Sequence, residues 1–120
     1  MNRTLLGISV ASFATAVAVL TAPAAGAQGT VRELTVRADK FAFSPTRSEV
    51  QKDDIVKVTF TAVDMPHSFT VDEYRIAKRA NAGQTVTFEF RADKTGPFRF
   101  YCNLTQDERC KGMHGEIHVK

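Results

Sequence analysis

Alternation of apolar and polar residues with a period of two dominates the sequence from Val31 onward. This pattern is typical of β-strands that bury one face and expose the other. The apolar positions are Leu34, Val36 and Ala38; Val56, Val58, Phe60 and Ala62; Phe69 and Val71; Val86, Phe88 and Phe90; Phe98 and Phe100; and Gly115, Ile117 and Val119. Turn-forming stretches such as residues 94–97 (KTGP) separate these segments, and no helical period is sustained. The sequence therefore predicts an all-β fold, an antiparallel β-sandwich of short strands.

Residues 1–27 have the layout of a cleavable secretory signal. Arg3 supplies a positive charge, an uncharged run rich in Leu, Val and Ala extends from Leu5 to Ala22, and small residues continue to Ala27. This order is that of a signal peptide. We therefore expect cleavage after Ala27, a secreted or periplasmic protein, and one domain over residues 28–120. An uncleaved membrane anchor is the alternative, although Ala, Ser, Thr and Gly dilute the apolar run.

Composition excludes several classes of function. The net charge of the 120-residue chain is +3, and loss of Arg3 with the signal lowers it by one. That charge is far below the basic patch or stripe of a nucleic-acid-binding protein. The sequence has no G-x-S-x-G or H-E-x-x-H motif, and its three His are too few for several metal centres. We expect a monomer that is not an enzyme, binds no nucleic acid and, after signal cleavage, contacts no membrane.

Three residues with metal-binding side chains share the inward parity at strand ends. Cys102 continues the buried face of Phe100, His67 shares the parity of Phe69, and Met113 precedes Gly115, Ile117 and Val119 on the same face. Each residue alone is better explained by packing, since a buried Cys usually behaves as a small hydrophobic residue. Together, a His, a Cys and a Met at one pole of a sandwich form a soft donor set that suits copper.

The chain from about residue 33 to residue 120 resembles the cupredoxins, the family of small blue-copper domains. The resemblance rests on the segments KFAFSP (40–45), MPHSF (65–69), GQTV (83–86), GPFRFYC (96–102) and MHGEI (113–117). It implies a Greek-key β-sandwich of eight strands or a near variant. It also implies one copper ion held by an upstream His, a Cys, a second His and an axial Met. His67, Cys102 and Met113 match three of these roles.

The fourth ligand departs from the family pattern. Cupredoxins carry a His between the Cys and the Met, whereas residues 103–112 contain none and form a longer interval than usual. Cys110 stands three residues before Met113, where that His is commonly found. We therefore predict His67, Cys102, Cys110 and Met113 as the copper ligands, with one copper ion per chain and His114 as the alternative to Cys110.

Four functions remain open from the sequence. The resemblance favours single-electron transfer through one copper ion, with a redox protein as partner. Two thiolates, a thioether and one imidazole also suit Cu(I), which indicates trafficking or sequestration with a copper-handling partner. A binuclear centre, as in cytochrome oxidase subunit II, shares the C-x-x-x-H spacing of Cys110 and His114, but the two Cys here lie farther apart. Finally, a disulfide between Cys102 and Cys110, which persists in an oxidising compartment, would leave a metal-free binding module.

Overall fold

The structure is a computed structural model that describes Gly7, residues 14–18 and residues 30–120. The predicted cleavage site after Ala27 and most of the predicted signal peptide lie outside the described residues. Within the part of the chain that is described, no helix has the length and apolar character needed to cross a membrane.

Strands make up nearly all of the regular structure. They are β1 (Val31–Asp39), β2 (Ala42–Ser44), β3 (Arg47–Val50), β4 (Ile55–Ala62), β5 (His67–Val71), β6 (Ile76–Ala80), β7 (Thr85–Arg91), β8 (Gly96–Tyr101) and β9 (His114–Val119). Single 3₁₀ turns at Asp72–Tyr74 and Cys110–Gly112 are the helical elements of the described chain. The all-β prediction is confirmed.

The strands form two sheets, ordered β2-β1-β4-β7 and β3-β9-β8-β5-β6. Most neighbouring strands are antiparallel, but β1 pairs with β4 and β3 pairs with β9 in parallel. The sheets are therefore mixed, in contrast to the purely antiparallel pairing expected from the alternation. The cause lies in the connections: the chain leaves the first sheet after β2, contributes β3 to the second, and returns as β4. A crossover of this kind is what parallel neighbours require.

The predicted inward faces form the core. In β4 the buried residues alternate strictly with partly exposed ones, and the same alternation holds in β9. Aromatic rings fill the space between the sheets: Phe100 stacks on Phe69 with ring centroids 4.8 Å apart, and the edge of Phe43 meets Phe100 at 5.0 Å. The apolar residues of β7 are only half-buried, because β7 lies at a sheet edge. Aromatic packing thus joins the sheets below the pole that carries Cys102.

Gly115 makes room for the Phe100 ring across the β8–β9 pair. The two residues are direct partners in the antiparallel register, and both are buried. A Cβ atom added to Gly115 would overlap the ring, with two of the ring carbons at 2.7 Å. A side chain at position 115 would therefore displace either Phe100 or the strand itself.

We expect Gly115→Ala to lower the free energy of unfolding by about 1–3 kcal/mol, the usual cost of overpacking a core. Equilibrium unfolding in urea measures the change. The matched control is Gly112→Ala, because a Cβ on Gly112 meets no heavy atom within 4 Å. Equal losses of stability in the two variants would contradict the packing explanation.

Candidate functional site

The end of β8 and the start of β9 meet at one pole of the sandwich, beside β5. Tyr101 is the last residue of β8, and it pairs with Thr70 of β5 and with His114 of β9. Beyond this point the backbone N–H of Cys102 donates to the carbonyl oxygen of Met113 at 3.2 Å. The central position of β8 therefore places Cys102 directly beside Met113.

A pair of hydrogen bonds ties the start of β5 to the chain that follows β8. The Ser68 hydroxyl donates to Asn103 Oδ1 at 2.7 Å and accepts from the Asn103 backbone N–H at 2.7 Å. Ser68 follows His67, and Asn103 follows Cys102. The two predicted ligands thus lie on chain segments that are held together by direct contacts.

Cys102 and Cys110 are joined by a disulfide, with their Cα atoms 5.3 Å apart. Both residues are buried, at 1% and 3% exposure. The backbone N–H of Met113 donates to the Cys110 carbonyl oxygen at 3.0 Å, so Met113 contacts both cysteines through its backbone. Cysteine binds metals as the thiolate, and a disulfide offers no thiolate. The structure therefore brings both cysteines to the same place, in a state without anionic sulfur donors.

His67 is buried, and a carboxylate holds its ring. Its Nε2 lies 2.8 Å from Asp64 Oδ1, and Asp64 Oδ2 accepts from the Lys40 backbone N–H at 3.1 Å. The hydrogen bond from His67 holds the pKa of Asp64 below its usual value, and the bond from Lys40 acts in the same direction. Because an ionised carboxylate only accepts hydrogen bonds, Nε2 carries a proton.

The other ring nitrogen of His67 is the unusual atom of this pole. Nδ1 is buried and has no hydrogen-bond partner among the described residues. Leaving such a buried polar atom unsatisfied costs about 1–3 kcal/mol, so it requires an explanation. In a neutral ring with the proton on Nε2, Nδ1 carries the lone pair that can bind a metal. A carboxylate that fixes the tautomer in this way is a common support for a metal-binding His.

An aromatic ring lies against His67, and a guanidinium lies against that aromatic ring. Phe41 meets its ring edge-on at 6.3 Å between centroids, and the Arg109 guanidinium carbon lies 4.0 Å from the centroid of Phe41. Lys40 and Phe41 form the two-residue β1–β2 turn with positive φ angles of 49° and 65°. This left-handed backbone is strained for residues other than Gly, by about 1–3 kcal/mol each. Asp53 and Arg75 also have positive φ angles, so such strain is not confined to the neighbourhood of His67.

Sequence reasoning missed these supporting residues. Asp64 had a usable signal, because it stands three positions before His67 in the segment DMPH. Phe41 lies in the segment KFAFSP that supports the resemblance, but no local signal predicts its contact with Arg109, because the two residues come from opposite ends of the domain and meet only through the fold.

The remaining His residues lie away from this pole or face outward. The exposed ring of His114 contacts the Gly112 carbonyl oxygen through Nδ1 at 3.1 Å, and His118 lies 3.3 Å from an Arg47 nitrogen. Across the described residues, no group of three or more His, Cys, Asp and Glu side chains is arranged to hold a metal ion. With the disulfide intact, His67 Nδ1 and the Met113 thioether are the donors that remain at the pole.

We expect Asp64→Ala to destabilise the fold by about 1–3 kcal/mol, because His67 loses its acceptor. The proton of the ring should also no longer be confined to Nε2. Urea unfolding measures the first effect, and long-range ¹H–¹⁵N NMR of the imidazole measures the second. Glu33→Ala removes an exposed carboxylate of β1 and is the control. An unchanged tautomer in Asp64→Ala would show that the carboxylate does not position the ring.

Comparisons with known proteins agree with this architecture. A family model described as a cupredoxin-like domain matches residues 9–119. The periplasmic domain of cytochrome oxidase subunit II (CoxB) of Bradyrhizobium japonicum is similar over 73% of this chain and 83% of that chain, at 17% identity and a TM-score of 0.65. Reduced auracyanin from Roseiflexus castenholzii is similar over 77% and 99%, at 18% identity and a TM-score of 0.63.

A third similar structure is the metal-binding domain of the Cu(I)-exporting P-type ATPase CopA of Streptococcus pneumoniae D39. It covers 78% of this chain and 89% of that chain, at 16% identity and a TM-score of 0.63. At these identities the likeness shows the fold alone. No curated protein matches the chain in sequence. Because the family model spans nearly all of the described domain, the chain belongs to the cupredoxin-like domain family.

Proposed function

We propose that this protein is an exported copper-binding protein that holds one Cu(I) ion when the Cys102–Cys110 disulfide is reduced. The ligands are His67 through Nδ1, the two cysteine thiolates and the Met113 thioether. The buried Nδ1 of His67, which has no partner in the described chain, is the observation that carries the proposal. The proposed role of the protein is copper trafficking or sequestration with a copper-handling partner, without catalytic turnover.

The redox state of the cysteines decides whether the donor set fits copper. In the disulfide state the pole offers one imidazole and one thioether, which are two neutral donors. Reduction adds two thiolates at the same pole, and the hydrogen bonds of Met113 to Cys102 and Cys110 keep the three residues adjacent. Thiolate and thioether sulfur are soft ligands that select Cu(I). Copper, when bound, supplies the positive charge that stabilises both thiolates.

The structural relatives support copper as the metal. The CopA metal-binding domain was determined with Cu(I), in a fold that overlaps most of this chain. That protein exports Cu(I), which makes a copper-handling role consistent with this architecture. The role of the present chain is inferred from its own donors.

Single-electron transfer is the competing function, favoured by the resemblance to blue-copper domains. A blue-copper site uses two imidazoles together with one thiolate and a weak axial ligand. Here the second imidazole has no candidate at the pole, because the exposed His114 is bonded to the Gly112 carbonyl. Cys110 stands three residues before Met113, where blue-copper domains commonly carry the second His. Its thiolate makes the ligand set of the reduced site softer, which favours Cu(I) over Cu(II).

Copper titration of the disulfide and the reduced protein tests the proposal. We expect one Cu(I) per chain after reduction with a phosphine, and little binding before it, measured by competition with a chromophoric Cu(I) chelator. Cys102→Ser should abolish binding and Cys110→Ser should weaken it. Met113→Leu and His67→Ala should each weaken binding by at least about tenfold, comparable to the loss of a supporting residue at a metal site.

His114→Ala is the matched control, because it removes an exposed imidazole from the outer face, next to Met113 in sequence, and should leave affinity unchanged. Undiminished binding in both Cys variants would contradict the ligand assignment. An intense visible thiolate-to-Cu(II) band at one copper per chain would instead establish the electron-transfer site. Absence of copper from the fully reduced protein would contradict the proposal and indicate a metal-free binding module.

A further inference from the structure

We propose that the outer edge of β7 is a dimerisation surface, at which two copies of this chain pair their β7 strands in antiparallel and join their sheets into one. No proposed copper ligand lies on β7, so the inference is independent of the proposed function. It differs from the monomer expected from the sequence.

β7 is the least protected edge strand of the sandwich. The other edge strands are β2 and β3, with three and four residues, and β6, which carries Lys78 and Arg79 within five residues. Short strands and charged edge residues, especially Lys, are common protections against pairing with another chain. β7 has seven residues without Lys, Pro or Gly, and its register with β4 runs unbroken from Arg91 to Thr85, without a bulge. Such an edge is a template for a further strand.

The outer edge of β7 presents peptide groups that can pair with that strand. At the two ends of the β4–β7 pair, the Ala92 N–H donates to the Asp54 carbonyl at 2.9 Å and the Ala62 N–H donates to the Gln84 carbonyl at 3.1 Å. Because bonded and non-bonded positions alternate in an antiparallel pair, the even-numbered residues of β7 bond to β4. The odd-numbered residues direct their peptide groups outward; they are Thr85, Thr87, Glu89 and Arg91. Within the described chain, the one backbone hydrogen bond to these groups runs from the Asp93 N–H to the Arg91 carbonyl.

The apolar face of β7 is incompletely covered by the other sheet. Val86, Phe88 and Phe90 point inward but are only half-buried. Phe69 packs on Phe88 with ring centroids 5.7 Å apart, and the Lys78 ammonium lies 5.7 Å from the Phe88 centroid. A second β7 beside the first would remove more of these side chains from water. The hydrophobic gain then adds to the main-chain hydrogen bonds that edge pairing supplies.

One register suits two copies related by a two-fold axis, the commonest symmetry of homo-oligomers. An axis perpendicular to the sheet keeps both apolar faces on the same side and makes the strands antiparallel. Phe88 then lies opposite Phe88 of the second copy, Thr87 opposite its Glu89, and Thr85 opposite its Arg91, so the whole strand is paired. A shift by two residues in either direction shortens the pairing, and one of these shifts sets Glu89 against Glu89. Like charges directly opposite each other destabilise a sheet, so the strand is complementary to itself in the full-length register.

Sedimentation equilibrium over a range of protein concentrations tests for the dimer. The protein is kept oxidised and free of metal, so that neither copper nor a disulfide between chains joins the copies, since the described chain has no free cysteine. We expect the mass to rise with concentration toward twice that of the monomer and to stop there. A monomer mass at every concentration up to about 1 mM would overturn the proposal. So would growth beyond the dimer, because a two-fold interface is closed.

Charge substitutions at two exposed positions test the register. Thr85→Arg places like charges opposite each other twice in the dimer and should weaken association by about threefold or more, whereas Thr85→Glu should strengthen it. The order reverses at the next outward position, where Thr87→Glu should weaken association and Thr87→Arg should strengthen it. Each pair is its own control, because both substitutions at position 85 lose the same hydrogen bond to Thr61. The same order at both positions would overturn the proposal, since it would report net charge and not the pairing of β7.

A proline substitution tests whether the backbone edge itself is the surface. Proline is tolerated on an edge strand where its missing N–H would face solvent, and the Thr87 N–H points away from β4. We expect Thr87→Pro to weaken association by about tenfold or more, because two hydrogen bonds are lost per dimer, and Thr87→Ala to stay within about twofold of wild type. Urea unfolding checks that both variants are folded. Equal association of the folded Thr87→Pro and Thr87→Ala variants would overturn the proposal, and if Thr87→Pro does not fold, the charge variants decide.

Discussion

The packing of the Phe100 ring against Gly115 and Phe69 sets the positions of the residues at the pole. It joins β8 to β9 on one side and to β5 on the other, since Gly115 lies in β9 and Phe69 in β5. Each of the three strands then places its next inward residue at the same pole. For β8 that residue is Cys102, and for β9 and β5 it is Met113 and His67. Core packing and donor positions thus both depend on the contact between the large Phe100 ring and the small Gly115 on the neighbouring strand.

The loop between the two cysteines couples this rigid frame to a chemical state. The disulfide closes residues 103–109 into a loop, and Arg109 extends from it to the Phe41 ring over His67. Closing a loop in this way restricts the unfolded chain and stabilises the fold, but it also removes the anionic donors. The strained backbone at Phe41 has the opposite effect, because it costs stability while it positions a ring against His67. At this pole the disulfide therefore stabilises the fold but removes metal donors, whereas the strained turn lowers stability but supports the His67 ring.

The strands and their buried faces were predictable because alternation is a local property of the sequence. The parallel pairing of β1 with β4 was not, since it depends on β3 crossing to the other sheet, and nothing in the local pattern records that crossing. The state of Cys102 and Cys110 was left open for a similar reason: spacing gives two sulfurs in one loop, whereas the bond depends on how that loop closes. The contact between Phe41 and Arg109 joins distant segments and leaves no periodic pattern in the sequence. Asp64 is the exception, because a carboxylate three residues before a His is visible in sequence.

On the proposed function, charge would make copper binding and disulfide chemistry at this pole interdependent. Reduction places two sulfur atoms among buried residues, and two uncompensated thiolates there would be costly. The cationic residues on either side of Cys110 in sequence offer little relief, because Arg109 is paired with Asp107 and Lys111 with Glu108, both at the surface. Because cysteine binds metals as the thiolate, Cu(I) binding would release protons from any thiol that is still protonated. A ligand that binds only the dithiol form stabilises that form by its binding free energy. Bound copper would thus shift the cysteine pair toward the reduced state, and by reciprocity the disulfide would lower the affinity for copper.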